Sequence, residues 1–235
     1  MRFYLPTISK DLALTGDTHT HAAYSLRIRV SDQITVFDGN GTEYLCKVTE
    51  IKKDRTCLEI LNKKTEAGET TKNYTLFLAV IKQDRFELAV QKATELGVNR
   101  IVPVYSTYTQ RLGSLNYERF KKIAVSACEQ CGRSRVPVIE QAIEFDELVE
   151  RAAKTFMIFP WEREMHGALL DAIDRTQSDI SVFVGTEGGI TQEEKERLCA
   201  VGAKSVTLGP RILRAETAAI TMLSVLSCEM GEWKL

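Results

Sequence analysis

TLGPRILRAETAAI (207–220) runs from an apolar strand, expected over 205–208, through a Gly-Pro turn into a helix of small residues, expected over 216–230. The turn and the helix start hold Arg211, Arg214 and Glu216. Three charges so near a buried strand serve no packing purpose; at such an edge they face a ligand or an interface. Just upstream, SVFVGTEGGIT (181–191) repeats the plan, with a strand over 180–184, then Gly185, Gly188 and Gly189, then a helix from Thr191. Two strand–loop–helix units in succession put both loops at the carboxyl ends of a parallel sheet, where open α/β sheets bind ligands.

The glycine loop lacks the G-x-G-x-x-G spacing of a dinucleotide fold and the Gly-Lys-Ser/Thr of a P-loop. Adjacent glycines imply either positive φ or a close approach to the backbone. Glu187 stands among them, and Thr191 with Glu194 forms a capping box that fixes the direction in which the chain leaves. The last helix is apolar on nearly every side, through Ala218, Ala219, Ile220, Met222, Leu223, Val225, Leu226 and Cys228. It is therefore buried in its own domain or at a subunit interface.

Upstream, strands and helices alternate: strand 74–80, helix 86–96 stopped by Gly97, strand 100–105, helices 117–131 and 145–154, strand 156–159. Pro103 makes strand 100–105 an irregular or edge segment. This alternation predicts an α/β domain over 74–235 with a largely parallel sheet. Residues 1–70 read differently, with strands over 34–37, 44–51 and 57–61, a hairpin turn at Asp38-Gly39-Asn40-Gly41 and one short helix over 17–26. Short strands in so small a space predict a β-barrel of PUA or OB type. The polar run 62–73 reads as a linker.

The chain has 235 residues, 44% of them apolar, which suits one large or two smaller globular domains. Its apolar runs are too short to span a bilayer. A net charge of −1 excludes a general nucleic-acid-coating protein but not a local basic face. No basic stretch followed by an apolar run opens the sequence, so the six cysteines are expected as reduced thiols in the cytoplasm. Cys128 and Cys131 form a single C-x-x-C inside a helical pattern, without a second pair or a nearby histidine. That is poor zinc chemistry, and no metal is expected.

Five segments, in order, resemble the RsmE family, bacterial methyltransferases of the SPOUT class that modify N3 of a uridine in small-subunit (16S) ribosomal RNA. They are HAAYSLRIRVSDQITVFDGNG, DRFELAVQKATELGVNRIVPV, ACEQCGRSRVPVI, FVGTEGGIT and LGPRILRAETA. The resemblance covers essentially the whole chain, and the last segment is the most specific. It implies S-adenosyl-L-methionine as cofactor and a deep trefoil knot in the C-terminal domain, which ordinary connection rules would reject. It also implies a homodimer with active sites near the subunit interface, and 16S rRNA as substrate, within the small ribosomal subunit. One position departs from the pattern: Thr186 replaces the proline of the family's Gly-Pro-Glu-Gly-Gly, and is expected to loosen the loop and alter cofactor affinity.

On this resemblance adenine would be bracketed by Leu208, Gly209, Ile212 and Leu213, with Arg214 and Thr217 completing that side. Gly185, Gly188 and Gly189 would let the chain approach the ribose and methionine parts, and Phe159 and Glu162 would form a third wall. Trp161 is either a platform or an ordinary packed tryptophan. Methylating N3 of uridine means removing a weakly acidic imide proton, so a base or an anion-stabilising cation is needed. Glu216 and Glu187 are candidate bases, with Glu216 equally able to anchor the helix start. Arg214 is a candidate partner for an oxyanion or a phosphate, or for an intersubunit carboxylate. RNA contacts would come from His21, Arg27, Arg29, Lys82, Arg85, Arg133 and Arg135. Two other functions fit the same motifs: a SPOUT enzyme acting on a different RNA, and a non-catalytic assembly factor that keeps the fold.

Overall fold

The structure, a computed structural model, describes residues 1–9, 11–110 and 114–233. The chain divides into two compact units, Met1–Glu69 with Val125–Val136, and Thr70–Ala124 with Pro137–Leu235.

The first unit contains β1 (Arg2–Tyr4), β2 (Ala13–Thr15), α1 (Gly16–Thr20), β3 (Gln33–Phe37), β4 (Thr42–Ile51) and β5 (Arg55–Thr65). They form one sheet in the order β1-β3-β4-β5-β2, with β1 parallel to β3 and the other pairs antiparallel. The β3–β4 turn closes as its composition predicts, because Asp38 Oδ1 accepts the N–H groups of Asn40 and Thr42 at 2.7 and 3.1 Å. Register shifts at Leu45/Cys46 and Val48/Glu50 interrupt the β4–β5 ladder, the kind of irregularity that bends a strand pair. The core takes Phe3, Leu14, Ile34, Val36, Cys46 and Val48. The expected helix over 17–26 is divided: α1 ends at Thr20 and a π-helical turn, His21–Ser25, follows. Buried His19 holds α1 to β5 through Thr56 Oγ1, 2.9 Å from Nδ1. The expected linker begins too early, since 62–65 continue β5 opposite β4, where Lys63 lies over the Tyr44 ring.

In the second unit are β6 (Asn73–Ala79), α2 (Gln83–Glu95), β7 (Arg100–Tyr105), the start of α3 (Tyr117–Cys131), β8 (Val138–Ile139), β9 (Ile143–Glu144) and α4 (Phe145–Ala152). Then come β10 (Phe156–Pro160), α5 (Leu169–Ala172), β11 (Asp179–Val184), α6 (Gln192–Ala200), β12 (Lys204–Val206) and α7 (Ala215–Glu229). The sheet is parallel throughout, in the order β12-β10-β11-β6-β7-β8, with β9 also on β7. The near-continuous apolar strands β6 and β11 sit at its centre, as strands covered on both faces do. β7 is interior, not an edge: Pro103 is tolerated because the outer neighbour is broken there, with β8 ending opposite Ile101 and β9 starting opposite Val104. The connection from β11 to β12 passes over β10. α7 packs on α2 and β11, burying Ala218, Ala219, Met222, Leu223 and Leu226. Among the described residues no helix is long and apolar enough to cross a membrane.

Candidate active site

Adjacent strands β12, β10 and β11 all end at one edge of the sheet, and the three loops that leave them enclose a cavity of about 590 Å³. After β11 the chain turns sharply: Gly189 has φ +82°, and its N–H donates to the Thr186 carbonyl at 2.9 Å. A side chain at 189 would also run into the Glu162 carboxylate. Thr186 is buried, and its hydroxyl accepts the Gly188 N–H at 3.2 Å. The residue expected to loosen this loop thus ties it with a bond that proline lacks. The loop's exit is fixed by the expected capping box of α6, in which Glu194 N–H donates to Thr191 Oγ1 and Thr191 N–H to Glu194 Oε2.

The segment after β10 is held at both sides. Trp161 donates its backbone N–H to Val206 and its indole N–H to the Ile190 carbonyl, each at 3.0 Å. The ring is buried but for its cavity edge, so it is a packed tryptophan that also forms a wall. Glu164 accepts the Ser205 hydroxyl at 2.7 Å, a bond that holds its carboxyl below the usual range. After β12, Thr207 N–H donates to the Gly167 carbonyl at 2.7 Å, and Gly209 N–H to Thr207 Oγ1 at 3.1 Å.

Glu162, Gly185, Gly188, Gly189, Leu208, Gly209, Ile212 and Leu213 all line this cavity. Phe159 does not: it is fully buried in the core with Phe77, Val102 and Phe183, and the next residues, Pro160 and Trp161, form the wall assigned to it. Alternation along β10 explains the correction, since one strand position decides between core and loop edge. Arg214 and Thr217 are exposed at the start of α7 and lie outside the lining, whereas Arg211 is part of it.

A second cavity, of about 670 Å³, lies in the same unit and has Glu187 and Gly188 in common with the first. Lys82 and Arg85 line it, and Arg85 Nη1 donates to Glu187 Oε1 at 3.0 Å. Tyr105, Tyr108, Gln83 and Asn116 also line it; nothing in the local sequence around Tyr108 marked it. Among the candidate catalytic groups, Glu187 alone borders either cavity. Glu216 is 6% exposed in the first turn of α7, and its Oε2 has no partner among the described residues. Arg214, at the N-cap of α7, accepts the Ala218 N–H on its carbonyl at 2.8 Å, and its guanidinium makes no hydrogen bond or ion pair among the described residues.

In the first unit His21, Arg27 and Arg29 are exposed along one segment, interleaved with exposed Tyr24, Leu26 and Val30. Arg135 pairs with Glu66 at 2.6 Å in a solvent-accessible bridge. Arg133 is a correction: it is 2% exposed, and its Nη2 and Nε donate to Glu69 Oε2 at 2.8 and 3.1 Å. Glu69 Oε1 meanwhile accepts the backbone N–H groups of Ser134 and Arg135. A guanidinium enclosed in this way holds the fold and has no phosphate to reach. Cys128 is also buried; its thiol is pushed up to about 12 by burial and donates to the Arg135 carbonyl. Among the described residues no group of three or more His, Cys, Asp or Glu side chains is placed to hold a metal.

Residues 68–227 match the RNA methyltransferase domain family and residues 14–61 the RNA methyltransferase PUA domain, the pairing of an RNA-modifying class of α/β proteins. A ribosomal RNA small subunit methyltransferase E from Rickettsia conorii is 35% identical over 217 residues, 91% of this chain and 88% of that protein. The chain belongs to the ribosomal RNA small subunit methyltransferase E family. In three dimensions it is similar to the enzyme of that name from Neisseria gonorrhoeae, crystallised bound to S-adenosyl methionine (TM-score 0.88, 32% identity, 99% of each chain). A Legionella pneumophila protein, also crystallised with this cofactor, gives a TM-score of 0.83 at 29% identity over 97% of this chain and 96% of that one.

Proposed function

We propose that this protein is an S-adenosylmethionine-dependent methyltransferase that methylates N3 of one uridine in 16S ribosomal RNA. The observation that carries the reading is the three-loop cavity, whose lining unites the glycine loop with Leu208–Leu213 and Glu162. Its volume lies within the range of about 300–1,000 Å³ typical of cofactor sites, and apolar side chains with exposed backbone amides are how such sites hold a nucleoside. The residues present therefore fit the cofactor. Leu208, Ile212 and Leu213 would grip the adenine, and the Gly185–Gly189 backbone would border the ribose and methionine parts. The bound cofactor supplies an electrophilic sulfonium methyl.

The chain's own part is to present uridine N3 and take its proton. Glu187 is our choice of base, because it borders both cavities while Glu216 borders neither. Its Oε2 would accept the N3 proton while Oε1 stays bonded to Arg85. Removing that proton spreads negative charge onto uracil O2 and O4, which the Arg85 guanidinium on the same wall would stabilise. Glu216 then sits in the first turn of α7, where the helix dipole favours a carboxylate.

We further propose a trefoil knot formed by the chain after β12, supported by the Gly167–Thr207 bond and by the return of α7 onto α2 and β11. A homodimer is supported by Ile212 and Met165, 86% and 79% exposed at the cavity, since apolar side chains so placed call for a cover. The unit with His21, Arg27 and Arg29 would grip rRNA phosphates in the small subunit, in the cytoplasm.

The test is incubation with labelled S-adenosylmethionine and small ribosomal subunits lacking the modification, with the methylated nucleoside identified by mass spectrometry. N3-methyluridine at a single site is expected. A different methylated nucleoside would replace the substrate assignment. Loss of cofactor binding in folded protein would favour the assembly factor.

A further inference from the structure

We infer that the 670 Å³ cavity is the acceptor pocket, which takes one unstacked pyrimidine nucleotide with its phosphate; the inference rests on the function proposed above. Three observations carry it. The first is adjacency: the cavity meets the three-loop cavity at Glu187 and Gly188, so a base seated in it faces the other site across one carboxylate and one glycine. An enzyme acting on a base edge must bring that base out of its stack into such a pocket.

The second is a fixed aromatic. Tyr108 is 53% exposed, yet its position is set from two sides. Glu194 accepts from both the backbone N–H and the hydroxyl of Thr107, at 2.8 and 2.9 Å. Tyr108 also lies directly on Gly188, where an added Cβ would stand 3.0 Å from Tyr108 Cβ. A half-exposed ring held this firmly is a stacking platform at low entropic cost. Its height over the glycine loop is set by the absence of a side chain at 188.

The third is the set of polar groups. Gln83 Nε2 is spent on Glu87, which leaves its carbonyl oxygen; Asn116 Oδ1 accepts the Arg119 N–H, which leaves its amide donors. One acceptor and one donor pair suit the edge of a pyrimidine. Lys82, exposed at the N-cap of α2, supplies the charge that a nucleotide phosphate requires, while Arg85 stays with Glu187.

The test uses full-length protein, an RNA fragment of the small subunit carrying 5-bromouridine at the modified position, and the variants Tyr108→Ala and Tyr108→Phe. Photo-crosslinking followed by peptide mapping is expected to place the adduct on Tyr105 or Tyr108. Tyr108→Ala should lower both crosslink yield and kcat/KM about tenfold or more. Tyr108→Phe should restore both to within about twofold, and S-adenosylmethionine affinity by calorimetry should stay within about twofold in both variants. Adducts confined to other residues, or a Tyr108→Ala enzyme of normal kcat/KM, would overturn the pocket and leave the methyltransferase reading intact. A methylated nucleoside other than N3-methyluridine would overturn that reading, while the crosslink still reports whether the cavity takes a base.

Discussion

Glu194 and Thr107 are joined by two hydrogen bonds to one carboxylate oxygen, while the other oxygen of Glu194 closes the cap of α6. One buried side chain thus secures both the glycine loop and the turn over 106–109. Glu194→Gln keeps the shape but gives up one acceptor. It is expected to cost about 1–3 kcal/mol in urea denaturation, since a buried donor is left unpaired. Thr107→Ala should cost less, because the Thr107 backbone N–H keeps its acceptor.

The choice of base separates two carboxylates. Glu187→Gln is expected to lower kcat about a hundredfold with cofactor affinity unchanged by calorimetry. Glu216→Gln should keep kcat within about tenfold, and its stability should match or exceed the parent, because the amide relieves a buried carboxylate oxygen without a partner. The reverse pattern would hand the proton to Glu216.

Arg133 is assigned to the fold, so Arg133→Ala should cost about 3–5 kcal/mol on denaturation, because the buried Glu69 carboxylate loses its counter-charge and keeps only the backbone N–H groups of Ser134 and Arg135. Arg27→Ala, at an exposed site, should leave stability unchanged and weaken rRNA binding, with a shallower salt dependence.

Two loop substitutions read pre-organisation. Thr186→Val removes the bond to Gly188 and should weaken S-adenosylmethionine binding up to about tenfold by calorimetry. Gly189→Ala combines positive φ with a collision at Glu162 and should weaken it further, in protein with unchanged circular dichroism.

Glu140 makes stability pH-dependent. Burial alone would raise its carboxyl pKa, but hydrogen bonds from Arg151, at 2.8 Å, and from Arg100 outweigh burial and hold it below the ordinary value. The unfolded chain therefore binds the proton more readily. The stabilisation is complete above the unfolded pKa and is lost as pH falls through the lowered folded value. The pair is partly exposed, so the contribution is about 1 kcal/mol. Urea midpoints of Glu140→Gln should lie below the parent at neutral pH and converge with it in acid.

The parallel sheet and its three loops were legible because apolar strands, Gly-Pro and Gly-Gly punctuation and the Thr191–Glu194 box are local signals. The three-residue strands β1 and β2 and the two-residue β8 and β9 were not, because pairing rather than composition makes them strands. Phe159 was misplaced because strand phase decides its side, and Arg133 because a charge reads as exposed until its partner, 64 positions away, is known. Tyr108 was invisible for the same reason: Gly188 and Glu194 give it meaning, and neither is its neighbour in sequence.

The first unit takes in residues 125–136 from far along the chain. That segment carries Arg133 for Glu69, Arg135 for Glu66 and the Glu129 carboxylate that receives the Tyr4 N–H. A gene fragment ending near residue 70 would encode the strands without these counterparts. This unit is thus not a cassette that recombination can move in one piece; it travels with the rest of the chain or must be rebuilt.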